Sequence, residues 1–177
     1  MGGRREVYTD DPLYRLTQES IIDPLSGNRT TDYSFDSVGN HLTKTDSLTG
    51  LTAYSYDAGD RLTTETNGSN ITSYGHDKNG NTLSQLKNAN DQITYNWDYE
   101  NRLNATNIVT PTGTKQITYR YDANEIRVGQ TVDGVKTRYL IDANRPYAQV
   151  LEEYNGSDIQ ASYVYGNSLI SQMKSNG

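Results

Sequence analysis

One short phrase recurs along almost the whole chain and constrains it more than any other feature. Tyr54-Ser55-Tyr56-Asp57-Ala58-Gly59-Asp60-Arg61-Leu62 reads as aromatic, any residue, aromatic, Asp, a Gly/Asn-type turn, then Arg or Asn and an aliphatic. The phrase returns at Tyr33-Ser34-Phe35-Asp36, Tyr74-Gly75-His76-Asp77, Tyr95-Asn96-Trp97-Asp98 and Tyr119-Arg120-Tyr121-Asp122. Aligned on the aspartate, the units stand at Asp11, Asp36, Asp57, Asp77, Asp98, Asp122 and Asp142, separated by 25, 21, 20, 21, 24 and 20 residues. The Asp142 unit keeps Tyr139 as its first aromatic, and an eighth unit, Tyr163-Val164-Tyr165-Gly166, has Gly where Asp is expected. A fixed period of this size marks a repeat architecture, in which each unit buries surface against its neighbours.

Each unit has the grammar of a β-hairpin. Tyr-x-Tyr puts two aromatics at i and i+2, on one face of an extended strand. Asp then bonds a backbone N–H two residues on, while Gly or Asn accepts a positive φ, so the segment after each Asp predicts a turn. The returning strand is rich in threonine, as in Leu62-Thr63-Thr64-Glu65-Thr66, which suits a half-exposed pleated surface. Asn67-Gly68-Ser69, Asp133-Gly134 and Asn155-Gly156 provide the second turn of their units. Two strands of six to eight residues plus two turns account for one period. Leu42 and Leu83 lie one place later than Leu62, which predicts an extra turn residue in their units. Asp23-Pro24-Leu25-Ser26-Gly27-Asn28 and Pro111-Thr112-Gly113 predict lengthened connections, and Pro146 predicts a different turn in the Asp142 unit. No 3.6-residue apolar period is present. The expectation is an all-β chain: residues 1–177 as one array of about eight antiparallel hairpins, a curved ribbon forming an open segment of a β-shell. Residues 1–3 read as a cloning scar.

Only 33% of residues are hydrophobic, a composition that by itself suggests disorder. Fifteen tyrosines argue otherwise, because disordered chains are poor in aromatic and β-branched residues. The absence of cysteine excludes disulfides and thiolate metal sites. A formal net charge of −6 is the wrong sign for nucleic acid or an anionic membrane surface. The sequence contains no apolar run long enough for a membrane helix, and residues 1–6 do not form a signal peptide.

The aromatics at Tyr33/Phe35, Tyr54/Tyr56, Tyr74/His76, Tyr95/Trp97, Tyr119/Tyr121, Tyr139 and Tyr163/Tyr165 are read as structural repeat positions, stacked in ladders between units. A stacking platform for sugar is the functional alternative. Repetition in every unit is what packing needs, whereas a binding site needs a local exception. The aspartates are read as turn caps. Asp77-Lys78-Asn79-Gly80-Asn81 faintly resembles a calcium loop but lacks its downstream bidentate Glu. His41 and His76 are read as structural, with neither a nucleophile nor an orienting partner in sequence. Arg61 and Arg102 follow turns and are read as exposed ion-pair partners contributing little. No catalytic residue, metal site or cofactor is expected.

These units resemble the YD-repeat, or Rhs (rearrangement hotspot), family, whose consensus is Tyr-x-Tyr-Asp-x-x-Gly-Arg-Leu. The stretch Thr137-Arg138-Tyr139-Leu140-Ile141-Asp142, then Asn144-Arg145-Pro146-Tyr147, then Tyr163-Val164-Tyr165-Gly166 with Leu169-Ile170-Ser171-Gln172, resembles the closing part of bacterial Rhs cores. The resemblance implies a long β-ribbon spiralling into a hollow shell, as in insecticidal toxin complexes and teneurins. In bacterial members the shell encloses a C-terminal toxin for delivery to competitor cells. The chain departs from that pattern in two ways: it has no Asp-Pro-x-Gly-Leu-type self-cleavage segment, and no toxin domain follows Gln172. By this resemblance the chain is a non-catalytic segment of a shell in an exported or cell-surface parent protein. Its partners would be the rest of the shell, an enclosed toxin and, through exposed strand edges, other copies. A carbohydrate-binding or cell-surface-binding module is the alternative.

Overall fold

The computed structural model describes residues 3–175; Met1 and Gly2 of the expected scar lie outside the described residues. The chain divides into two compact units, residues 1–89 and 90–177. The first contains β1 (Arg5–Asp10), β2 (Leu16–Ile22), β3 (Arg29–Phe35), β4 (His41–Asp46), β5 (Gly50–Tyr56), β6 (Leu62–Asn67), β7 (Asn70–His76) and β8 (Thr82–Asn88). The second contains β9 (Asp91–Trp97), β10 (Leu103–Thr110), β11 (Gly113–Tyr121), β12 (Arg127–Val132), β13 (Val135–Asp142), β14 (Gln149–Asn155), β15 (Asp158–Tyr165) and β16 (Leu169–Lys174). Within each unit every strand pairs antiparallel with its sequence neighbour, and the described residues form no helix. The all-β hairpin architecture expected from the repeat is the one observed.

The sheet of each unit is a single layer, so the usual apolar core is missing. Among the described residues Ala161 is the one buried apolar side chain, while Thr31, Asp46, Thr52, Thr72 and Thr106 are buried polar ones. Three of these extend the repeated phrase upstream. Thr31, Thr52 and Thr72 each stand two residues before the first tyrosine of their unit, on the same face of the strand. A β-branched residue fits there because its methyl group fills the pleat, while the Thr31 hydroxyl donates to Asp46 and the Thr52 hydroxyl accepts from Asn67.

All eight hairpins carry a β-bulge at the same place, opposite the second aromatic position. In β5–β6, Ser55 faces Thr64 and Tyr56 faces Leu62, leaving Thr63 as the extra residue. Thr17, Leu42, Leu83, Asn104, Val128, Leu151 and Ile170 are left over in the same way. This corrects the expected extra turn residue. The turns after Asp36, Asp57, Asp77 and Asp98 are equal in length, each closed by the Asp N–H donating to the carbonyl four residues on. Leu42 and Leu83 are bulge residues equivalent to Thr63, and His41 and Thr82 occupy the place of Leu62. The connection at Pro111-Thr112-Gly113 is not lengthened either. Thr110 pairs with Gly113 across a two-residue turn, and the added length lies in the strands, with nine residues in β11. The longer link at Asp23–Asn28 is as expected, and the turn expected to differ after Asp142 does so by running on to Gln149 before β14 begins.

In the six turns from Asp11 to Asp122 the left-handed residue is the third after the aspartate, whatever its type: Gly39 and Gly80, but also Tyr14, Asp60, Asn101 and Glu125, all with φ between 58° and 100°. A side chain with a Cβ pays about 1–2 kcal/mol there. Tyr14 is 91% exposed and Glu125 is exposed, so little packing offsets that cost. Tyr14→Gly and Glu125→Gly are each expected to raise stability by about 1 kcal/mol, read as a higher urea midpoint at unchanged slope. A lower midpoint would contradict the assignment.

Candidate functional site

The residues most closely knit together are the repeated aspartates and the turn residues next to them. In the Asp57 turn, the Oδ1 atom accepts the backbone N–H groups of Gly59 and Arg61 at 2.8 and 3.1 Å. Oδ2 accepts Arg61 Nε at 2.7 Å. Asp11 makes the same set with Leu13 and Arg15, and Asp98 with Glu100 and Arg102. Asp36 and Asp77 use Asn40 and Asn81 in place of arginine, with the Nδ2 group donating at 2.9 Å in both. Asp122 accepts Asn124 and Ile126 N–H groups, and Asp142 accepts Asn144 N–H and Arg145 Nε. The carboxylate thus satisfies a turn backbone that two strands cannot reach.

Most of these arginines also reach the next hairpin. Arg15 Nη1 donates to the Asp36 carbonyl at 2.9 Å, and its guanidinium lies 5.0 Å from the Phe35 ring centroid. Arg61 Nη1 donates to the Asp77 carbonyl at 2.7 Å, and Arg145 Nη1 to the Gly166 carbonyl at 3.3 Å. Arg102 lies 5.2 Å over the Tyr121 ring. These side chains therefore clasp their own turn and tie successive turns together, a larger role than the exposed pairs expected from sequence.

On the aromatic face, each first tyrosine from Tyr33 onward meets a side chain of the partner strand. The residue facing each across the hairpin is polar: Lys44 for Tyr33, Glu65 for Tyr54, Gln85 for Tyr74, Thr106 for Tyr95, Gln130 for Tyr119, Glu153 for Tyr139 and Gln172 for Tyr163. Tyr74 donates to Glu65 at 3.2 Å, and Tyr163 to Glu153 at 2.6 Å, which raises the Tyr163 pKa. The second aromatics fasten hairpins by another route. Tyr56 donates its hydroxyl to the His41 carbonyl at 2.8 Å, and Tyr121 to the Leu103 carbonyl at 2.9 Å. Trp97 pairs in register with Leu103, His76 with Thr82, and Tyr165 lies 6.5 Å from Tyr163. His41 sits among rings, 4.7 Å from Tyr54 and 5.5 Å from both Tyr33 and Phe35. Arg127 holds the same place in its hairpin, between Tyr119 and Tyr139.

Sequence reasoning missed Asp46. It is 2% exposed at the end of β4 and lies outside the Asp register. Its carboxylate receives Arg29 Nε at 2.8 Å, Arg29 Nη2, the Thr31 hydroxyl and the N–H groups of Leu48 and Thr49. Arg29, then those N–H groups, hold its pKa well below the usual carboxylate range. The available signal was Asp46 placed three residues before Thr49-Gly50, a capping pattern at the opposite margin of the sheet.

The Asp77 oxygens already accept N–H groups from Asn79 and Asn81, donors that oppose a bound cation. Among the described residues no group of three or more His, Asp or Glu side chains is placed to hold a metal ion.

An RHS Repeat model matches residues 35–72, the stretch from the second aromatic of β3 into β7. No curated protein matches the chain. Among solved structures, a Photorhabdus luminescens Tc holotoxin pore carrying a TccC3 point variant is 14% identical, with a TM-score of 0.64, covering 94% of this chain and 11% of that one. TcdB2-TccC3-TEV is 17% identical with a TM-score of 0.58, covering 82% of this chain and 9% of that one. TcdB2-TccC3 without its hypervariable C-terminal region gives 17% and 0.59 over the same shares. This chain therefore carries an RHS repeat and has the fold of those toxin-complex β-strand arrays, of whose length it spans about a tenth.

Two measurements test the clasp. The Asp57 carboxyl is held at about 2, by the Arg61 side chain first and the turn N–H groups next, and Asp11, Asp77 and Asp98 are also lowered. A depressed carboxylate contributes stability that is complete above its unfolded pKa, near ~4, and is lost as pH falls through the folded value. Thermal midpoints are therefore expected to be level from pH 7 to about 5 and to fall steeply between about 4 and 2. A midpoint unchanged at pH 2 would contradict the clasp. Tyr56→Phe, which deletes the bond to the His41 carbonyl, is expected to cost about 1 kcal/mol in urea unfolding.

Proposed function

We propose that the chain is a non-catalytic stretch of a bacterial Rhs-type shell, eight consecutive hairpins of the wall that sequesters a toxin for delivery to competitor cells. The observation that carries this reading is the use of the repeated polar groups. The aspartates are engaged by their own turns, and the arginines at Arg15, Arg61 and Arg145 by the turns of the next hairpin. A motif whose acids and bases are consumed in holding hairpins together is suited to building a surface, and function belongs to what that surface surrounds. The matched RHS repeat and the fold of the Tc toxin structures support the same reading. In this role the partners are further hairpins of the shell and the enclosed domain, and the parent protein is exported or displayed at the cell surface.

Strand edges supply the contacts. Within the described residues β1 pairs with β2 alone and β16 with β15 alone, and β16 exposes Leu169, Ile170 and Met173. An unpaired edge is a template for another strand. The isolated chain is therefore expected to self-associate as concentration rises, measured by light scattering, and Ile170→Lys is expected to weaken this. The shell role itself is tested on the parent protein by limited proteolysis. The enclosed domain should resist cleavage at neutral pH and become cleavable near pH 2, where the turn carboxylates are protonated. An enclosed domain that is digested at neutral pH while the array stays intact would overturn the proposal.

A further inference from the structure

Among the described residues the dipeptide Asn-Gly occurs three times, at Asn67-Gly68, Asn79-Gly80 and Asn155-Gly156, and the fold treats the three differently. Such a pair holds an electrophile and a nucleophile in one segment. The asparagine amide carbon is open to attack by the backbone nitrogen of the next residue, and glycine, with no Cβ, leaves that nitrogen unshielded. Ring closure needs two things: an asparagine side chain free to rotate, and a glycine N–H not held in a hydrogen bond.

At Asn79-Gly80 the nitrogen is held, since the Gly80 N–H donates to the Asp77 carbonyl at 3.2 Å in the capped turn. At Asn67-Gly68 the side chain is held. Asn67 is half-buried opposite Thr52, and its Nδ2 donates to the Thr52 hydroxyl at 2.8 Å. Asn155 has neither restraint. It is exposed at the end of β14, past Arg138–Tyr154, the last pair that β14 makes with β13. Among the described residues neither its side chain nor the Gly156 N–H makes a hydrogen bond. Gly156 has φ 63° and open space where a Cβ would stand, while its carbonyl accepts Arg138 Nη2 at 2.6 Å. The turn is thus fixed on its far side and open on the side where the ring would form.

From this contrast we propose that Asn155 is a site of spontaneous covalent modification, losing its amide through a succinimide. The Gly156 nitrogen bonds to Cγ of Asn155 and gives up its proton. The Cγ–Nδ2 bond breaks, and the amide nitrogen takes that proton and leaves as ammonia. Water then opens the ring at either carbonyl, leaving aspartate or isoaspartate at position 155, with no oxidant or cofactor involved. Asn155 faces Asp158 in the last pair of the β14–β15 hairpin. Either product sets a second negative charge opposite Asp158, and like charges paired across strands are destabilising. Isoaspartate also adds a backbone atom within that pair. The modification therefore loosens β15 from β14. The site is independent of the shell reading and stands or falls apart from it.

The test is to age the whole chain in mildly alkaline buffer, below its melting temperature, and follow the three dipeptides by peptide mass spectrometry. Labelling with an isoaspartyl methyltransferase separates isoaspartate from aspartate. Asn155 should convert at least about tenfold faster than Asn67 or Asn79, the factor that one retained hydrogen bond of about 1.4 kcal/mol imposes on a rate. In urea above the unfolding midpoint the three rates should converge, because the dipeptide is the same. Thr52→Val keeps the shape of the side chain and removes the acceptor, so it should speed Asn67 and leave Asn155 unchanged, with thermal melts confirming that the variant folds. Hydrogen exchange of the deamidated chain, separated by its added charge, should be faster in β15 and unaltered in β9 and β10. Equal rates at the three pairs in the folded chain, the same ranking in urea, an Asn67 rate indifferent to Thr52→Val in the folded variant, or unaltered exchange in β15 would each overturn the proposal.

Discussion

The carboxylate that opens seven of the eight hairpin turns, with Gly166 in its place in the last, is the contact on which the rest of the fold depends. Its two oxygens collect N–H donors that face away from the sheet and so decide which turn forms. The turn then delivers the returning strand one residue out of simple register, which creates the bulge. The bulge sets which side chain faces the second aromatic and which is left over. Where arginine ends the turn, as at Arg15 and Arg61, the same group that closes one turn also donates to the carbonyl of the next aspartate. Neighbouring hairpins are thereby coupled at their turns as well as along their strands.

That coupling matters because each unit has no second layer to bury against. An ordinary domain recovers the entropy cost of folding from apolar surface hidden between layers. Here the buried positions are mainly threonines and one aspartate. Stability comes instead from many nearest-neighbour terms: ladder bonds, polar side chains set opposite tyrosines, rings beside guanidinium groups, and tyrosine hydroxyls fixed to the preceding hairpin. The abundance of tyrosine reflects this economy. A tyrosine covers a broad apolar area on a half-wet surface and still finishes in a hydrogen bond.

The hairpins, their number and the capping aspartates are legible in the sequence because they depend on local rules repeated many times. What is not legible depends on register. The equal turns after Asp36 and Asp57 look unequal in sequence, because Gly39 and Gly59 fall at different places and Leu42 appears to stand in for Leu62. Once the strands are paired, Asp60 takes the left-handed place and Leu42 becomes a bulge residue. The polar partners of the tyrosines are hidden for the same reason, since Glu65 and Tyr54 meet only across a turn. Asp46 lies off the main period, so alignment on the repeat passes over it.

The bulge has a mechanical consequence. In every hairpin the surplus residue lies toward the margin of the aspartate turns, while the opposite margin closes in tighter loops such as Asp133-Gly134. A bulge strengthens the local right-handed twist of the strands that carry it, here in the same sense each time. The twist of each hairpin is thus written into its own turn, one residue at a time.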